Sequence, residues 1–112
     1  MSHFKRGSFE SKRHSYIRST VRGASRRWPE KTKAYRAARI SRGIYECAMC
    51  KNKFKPKEVE LDHIVPIVDP NDGFTTWDDY LMKLFCKAED YQVLCISCHS
   101  AKTLTETFLR HK

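Results

Sequence analysis

The sequence predicts a small α+β fold with a basic, partly helical N-terminal arm, and three observations support this fold class. Segments with helical spacing of apolar residues alternate with short runs of β-branched residues. Two Cys-x-x-Cys pairs bracket residues 51–94, and positive charge is concentrated before them. With 112 residues, the chain can form one small domain but not two with separate cores. We therefore place the arm at 1–43 and the domain at 44–112.

Local patterns predict the individual elements. Pro29 in a first turn and Gly43 as a stop delimit one helix, whereas Gly23 weakens a helix predicted before it. The run VELDHIVPI is rich in β-branched residues and lies between prolines, which favours a strand. The predicted order is helices over 13–28 and 29–42, a strand over 59–67, a helix over 75–86, a strand over 91–95, and a closing helix over 97–111 with Ala101, Leu104, Phe108 and Leu109 facing inward.

The cysteine pairs are Cys47-x-x-Cys50 and Cys95-x-x-Cys98. Two residues between cysteines let both thiolates reach one tetrahedral zinc ion from a single turn. We predict one structural Zn²⁺ held by all four cysteines, because a thin core in a small domain benefits from a metal. Two unrelated buried pairs or a redox CxxC are the alternatives, but no thioredoxin-like βαβ pattern surrounds either pair. Cys86 is left over and is predicted to be a small core residue.

The net charge of +9 is unevenly distributed. Residues 1–46 contain 13 Lys and Arg against 3 Asp and Glu, whereas the remainder is close to neutral. This asymmetry indicates a polyanionic partner, most simply double-stranded DNA; a solvated tail or an anionic membrane surface are the alternatives. The predicted DNA-binding residues are Arg26, Arg27, Lys31, Lys33, Arg36, Arg39 and Lys102.

No segment is long and apolar enough to span a bilayer, and the N-terminus lacks the apolar core of a signal peptide. We therefore expect the protein in the cytoplasm, without membrane association. Cysteines in that reducing compartment favour metal binding over disulfides.

Asp62 and His63 lie side by side within the predicted strand, so their side chains are expected on opposite faces. A carboxylate in an apolar strand is costly unless it is paired or bound to a metal. If Asp62 meets His99, which follows the last cysteine, the two form a site for a catalytic divalent ion: Mg²⁺ or Mn²⁺, with Ni²⁺ and Zn²⁺ as further options. His63 could then take a proton from an attacking water.

LDHIVPI and DYQVLCISCHSAKT, set within the CxxC…CxxC frame, resemble the HNH endonucleases of the ββα-metal, or His-Me finger, type. The zinc-knuckle variant with a basic arm is similar to small bacteriophage HNH proteins. The resemblance implies a metal-dependent DNA endonuclease with His63 as general base, and Asp62 and His99 as ligands of the catalytic ion. It also suggests the host cytoplasm as location and other phage proteins as further partners. We expect a monomer or weak dimer.

Asp90 departs from the family pattern, because it stands where these enzymes carry an asparagine that braces the loop of the base. Aspartate accepts hydrogen bonds but has no amide donor. We still count Asp90 among the candidate catalytic residues.

Two other functions stay open: a non-catalytic zinc-ribbon module that binds nucleic acid, and a degenerate nuclease. Single residues also have alternative roles. Asp62 could instead pair with a lysine, and His63 could pack in the core. His99 could be an ordinary helix residue or a zinc ligand.

Overall fold

The computed structural model describes residues 4–110 and has a small α+β architecture with two antiparallel sheets. Sheet one has the order β1-β2-β3, and sheet two pairs β4 with β5. The predicted α+β class is therefore confirmed. The elements are α1 (Phe9–Ala24), α2 (Pro29–Ala38), β1 (Arg39–Ser41), β2 (Ile44–Glu46), β3 (Lys53–Phe54), β4 (Val59–His63), α3 (Trp77–Leu84), β5 (Tyr91–Cys95) and α4 (Ile96–Arg110).

The first helix is longer than predicted at its start. The hydroxyl of Ser8 accepts from the Ser11 N–H and caps α1, which then runs past Gly23. The predicted helix over 29–42 is correct at Pro29 but wrong at its end. Arg39–Ser41 leaves the helix because it pairs with β2 as a strand.

The predicted strand over 59–67 is also shorter, because its partner strand begins at Tyr91. Val59 pairs with Cys95 and His63 with Tyr91, so pairing with β5 ends there. The next backbone amide, that of Ile64, donates instead to the carbonyl of Asp90 at 3.0 Å.

The predicted inward face of the closing helix is wrong. Leu104 and Phe108 are 72% and 70% exposed, and Ala101 is exposed as well. Helical spacing places these three residues on the side of α4 opposite His99 and Lys102, which lie within 4 Å of Asp62 on β4. The polar face of α4 is therefore the one turned towards the sheet.

Helix α1 is attached at both ends to the rest of the fold. Near its start, the ring of His14 packs against Phe74 and Trp77 with centroid separations of 4.6 and 4.9 Å. Just after its end, the indole N–H of Trp28 donates to the carbonyl of Cys86 at 2.7 Å. These contacts cross the predicted boundary at residue 43, and the division into arm and domain stays a prediction. None of the helices in the described part of the chain combines the length and apolar character needed to cross a bilayer.

Candidate metal centres and nucleic-acid cleft

The four paired cysteines converge on one point. The sulfurs of Cys47, Cys50, Cys95 and Cys98 all lie within 4.8 Å of one another. Zinc–sulfur bonds of about 2.3 Å place the sulfurs of a tetrahedral site about 3.8 Å apart, and Cys50 Sγ lies 3.9 Å from Cys95 Sγ. The cluster fits a structural metal such as zinc, as the sequence predicted.

Two local structures bring these sulfurs together. In the first, the backbone folds back after Cys47, where the N–H of Lys51 donates to the Cys47 carbonyl at 3.0 Å. Lys51 has a φ of 65°, in the left-handed region that side chains seldom adopt. In the second, α4 starts directly after β5, so the Cys98 N–H points at the Cys95 sulfur at 3.5 Å. His99 is placed by the same turn.

The cluster is also the centre of the core. Cys47 is fully buried and packs with Leu94 and Cys95, and Phe54 covers this group. Burial alone would raise the pKa of the Cys47 thiol, but surrounding backbone N–H groups outweigh it and lower the pKa to about 6. A readily formed thiolate is the form that binds metal. Contact with the Cys95 sulfur, together with burial, instead raises the pKa of Cys98 to about 12. A cation is what would stabilise four thiolates at once.

The predicted division of Asp62 and His63 between two faces of the strand agrees with the register. Asp62 pairs with Gln92, whose amide donates to Asp62 Oδ2 at 2.9 Å. His63 pairs with Tyr91, and their rings lie 4.7 Å apart on the other face. Both residues stand at the end of β4 and line one cleft of about 790 Å³.

Asp62 and His99 do come close to each other. His99 Nε2 lies 3.7 Å from Asp62 Oδ1, a separation that one metal ion can bridge. Glu60, two residues before Asp62 on the same face of β4, has its Oε2 2.8 Å from His99 Nδ1. An Nδ1–H directed at this carboxylate would leave Nε2 free as a ligand, an arrangement common in metal-binding histidines. Asp62 and His99 are therefore the residues of this cleft that could hold a divalent ion, and Glu60 lies beside the imidazole.

Lys102 lies in the cleft one turn after His99, and its predicted contact with DNA stays a prediction. Its ammonium lies 3.1 Å from Asp62 Oδ2, also binds Glu106, and donates to the His63 carbonyl at 3.1 Å. Burial by itself would lower the pKa of Lys102, but the hydrogen bonds that its ammonium donates to the carboxylates of Glu106 and Asp62 outweigh burial and raise the pKa. Lys102 is thus a charged group held among carboxylates one turn after His99, at the edge of the cleft.

His63 is half-buried and held in a defined orientation. Its Nε2 faces the carbonyl of Leu84 at 3.4 Å, and the Tyr91 hydroxyl donates to the same carbonyl at 3.1 Å. Burial is the main cause that lowers the pKa of His63, and the positive charges of Lys31 and Arg22 act in the same direction. The lowered pKa favours the neutral imidazole, and in the tautomer with Nε2–H directed at the carbonyl its Nδ1 carries the free lone pair.

Asp90 supports the segment after His63 through its backbone. The carbonyl of Asp90 accepts from the N–H of Ile64, whereas its side chain is exposed. A backbone carbonyl is the same in asparagine and aspartate. This contact therefore does not depend on which of the two side chains is present, and the catalytic role predicted for Asp90 stays a prediction.

The basic residues predicted to bind DNA divide into two groups. Arg26 and Lys31 line the cleft of His63 together with Lys102. The others lie elsewhere: Lys33 pairs with Glu30 at 2.8 Å, Arg39 lines a second groove, and Arg27 and Arg36 are exposed.

Some groups of the site were not predicted, and the sequence carried a signal for all of them except one. Glu60 could have been found from its spacing of two before Asp62, because alternate residues of a strand share a face. Arg18 and Arg22 line the cleft and precede Arg26 at intervals of four, which is helical spacing. No local pattern points to the Leu84 carbonyl, since it meets His63 only through the tertiary fold.

No protein-family model matches the chain, and no curated protein or solved structure matches it significantly. The HNH resemblance therefore rests on the quoted motifs alone.

Replacing Glu60 with glutamine is expected to weaken divalent-metal binding about tenfold, because a loss of the partner of a ligating histidine typically weakens binding by 10- to 100-fold. Glu60 is 54% exposed, which favours the lower end of that range. Calorimetric titration of Mn²⁺ into zinc-loaded protein would measure the change. Glu89→Gln, at an exposed site that removes the same charge, is the control. Equal affinities in the two variants would contradict the role given to Glu60.

Proposed function

We propose that the protein is a metal-dependent DNA endonuclease of the HNH, ββα-metal type. The observation that carries this proposal is the arrangement at the end of β4. An oriented imidazole, His63, opens onto the same cleft as the Asp62–His99 pair, whose nearest atoms are 3.7 Å apart. General-base and metal-ligand groups set side by side in a basic cleft suit hydrolysis of a phosphodiester.

The order of elements supports a ββα-metal core. Strands β4 and β5 form an antiparallel pair, and α4 follows β5 without a loop. Asp62 and His63 come from the first strand and His99 from the first turns of the helix. The cysteine cluster holds the junction of β5 and α4, so a structural zinc there would fix His99 relative to β4.

Each residue of this site has a distinct role in the proposal. His63 takes a proton from the water that attacks phosphorus, while the Leu84 carbonyl keeps its ring in place. Asp62 and His99 would hold a divalent ion, whose positive charge would stabilise the transition state and the leaving 3′ oxygen. Gln92 orients Asp62 through its hydrogen bond, and Glu60, 2.8 Å from His99 Nδ1, would orient the imidazole. Double-stranded DNA is the proposed substrate.

One observation favours a second candidate, a nucleic-acid-binding module without catalytic activity. Lys102 lies 3.1 Å from Asp62 Oδ2, so the carboxylate already has a cationic partner from its own chain. A permanent Lys102–Asp62 pair would satisfy the buried charge without any metal. The basic cleft would then serve binding alone.

Cleavage of supercoiled plasmid by the zinc-loaded protein tests the choice. The reactions contain Mg²⁺, Mn²⁺ or Ni²⁺, and one contains no added divalent ion. We expect nicked circles first, since one active site cuts one strand, and we expect no product without added metal. If folded protein shifts the DNA but cuts it with none of these ions, the binding module is the better description.

A further inference from the structure

One face of helix α1 forms a wall of the cleft that contains His63. Arg18 and Arg22 lie on this wall, and Arg26 continues it in the short 3-10 turn that follows. Residues four apart on a helix lie above one another, separated by about 6 Å along the axis. The three arginines therefore form a row, and neither Arg18 nor Arg22 has a role in the site proposed above.

The side of the cleft formed by β4 and α4 is balanced in charge. It carries Asp62 and Glu106 together with Lys102, which pairs with both of them, and also His99 and Arg110. A phosphodiester strand in this cleft would have its negative charges against the arginines, and Asp62 and His99 on the other side would be the residues to hold a divalent ion. The unbalanced positive charge of the cleft thus lies on the α1 wall, where a polyanion would bind.

The guanidinium groups are available for such a ligand. Within residues 4–110, none of the three arginines has a carboxylate oxygen within 4.0 Å. Arg18 instead lies over the rings of Phe74 and Tyr80, 5.8 and 5.6 Å from their centroids, which restricts its orientation and leaves its charge unpaired.

The row is also held in place before any ligand binds. The His14 ring contacts with Phe74 and Trp77 fix the helix on one side of the row. On the other side, Ser25 is buried and its hydroxyl donates to the Arg22 carbonyl at 2.7 Å. Groups that are already positioned lose less entropy when a ligand binds.

We propose that Arg18, Arg22 and Arg26 form a phosphate-binding ladder that holds the backbone of the nucleic-acid strand across His63. The inference rests on the proposed nuclease function and assigns the strand-binding residues of that site. Phosphate contacts position a strand without reading its sequence. Helix α1 is therefore part of the substrate site, and the ladder acts on all sequences alike.

The ladder is tested by measuring the binding constant of the full chain for a fluorescent DNA duplex at several salt concentrations. The protein is zinc-loaded, and no other divalent ion is added. The test variant is Arg18→Gln/Arg22→Gln. The control is Lys12→Gln/Arg13→Gln, which removes the same charge from exposed positions on the same helix. We expect the ladder variant to lower the slope of log K against log salt by about 2, since each phosphate contact contributes about 0.9. The control should change the slope by less than half as much.

Equal slopes in the two variants would overturn the ladder, because total charge alone would then explain binding. Arg18→Lys/Arg22→Lys retains the charge and should keep the wild-type slope; a loss as large as that of the glutamine variant would also count against the proposal. Thermal unfolding shows whether each variant is folded. The result is independent of catalysis: a wild-type protein that binds through the ladder but cuts no plasmid refutes the nuclease function and leaves the ladder standing.

Discussion

Replacing His63 with alanine is expected to abolish plasmid cleavage while the protein stays folded and still binds DNA. A general base typically contributes 10²- to 10⁴-fold to the rate, so we expect the rate to fall about a thousandfold. The fold should survive because the Leu84 carbonyl keeps its hydrogen bond from the Tyr91 hydroxyl when the imidazole is removed. The rate of loss of supercoiled plasmid, measured with saturating metal, gives the comparison.

Tyr91→Phe is the matched control for this variant. It removes the hydroxyl from the same carbonyl and retains the ring that packs 4.7 Å from His63. We expect its cleavage rate to remain within about tenfold of wild type, because the imidazole that accepts the proton is still present. If the alanine variant cleaves as fast as the phenylalanine variant, His63 is not the base.

Replacing Cys47 with serine is expected to remove the bound metal and unfold the domain. Structural zinc contributes about 10–16 kcal/mol to the folding of small metal-binding units, whereas a whole domain is stable by only about 5–15 kcal/mol. Cys47 is fully buried at the centre of the core, so its loss also disturbs the packing of Leu94 and Cys95. Metal content and far-UV circular dichroism during heating would show both effects.

Cys86→Ser provides the control, because Cys86 is the one cysteine outside the cluster. It is half-buried, and we expect it to retain one zinc per chain and a cooperative unfolding transition. Treatment of the wild-type protein with a strong zinc chelator should reproduce the Cys47→Ser result. A Cys47→Ser protein that keeps its metal and melts like Cys86→Ser would show that the cluster is not a structural metal site.

The sequence predicted the features that depend on local chemistry. The spacing of each cysteine pair indicated a shared metal, and the fold brings all four sulfurs within 4.8 Å of one another. Strand alternation placed Asp62 and His63 on opposite faces, and the register agrees. Both results follow from geometry that a few neighbouring residues fix on their own.

The boundaries of elements were predicted less well, because they depend on what the segments meet. Arg39–Ser41 has a sequence compatible with a helix but becomes a strand, since β2 offers hydrogen-bonding partners. Leu104 and Phe108 follow a helical apolar pattern and are nevertheless exposed, since α4 turns its opposite face, with His99 and Lys102, towards Asp62 on β4. Periodicity indicates which face is apolar, but it does not indicate whether another element packs there.

The residues that complete the site were decided by the tertiary structure. Glu60 reaches His99 across 39 positions of sequence, and Lys102 reaches Asp62 across 40. Arg18 and Arg22 enter the cleft only because α1 packs on Phe74 and Trp77. The sequence by itself thus determined which chemical groups are available and the local turns that present them. The tertiary structure decided which of these groups meet, because distances between remote segments depend on packing rather than on local backbone geometry.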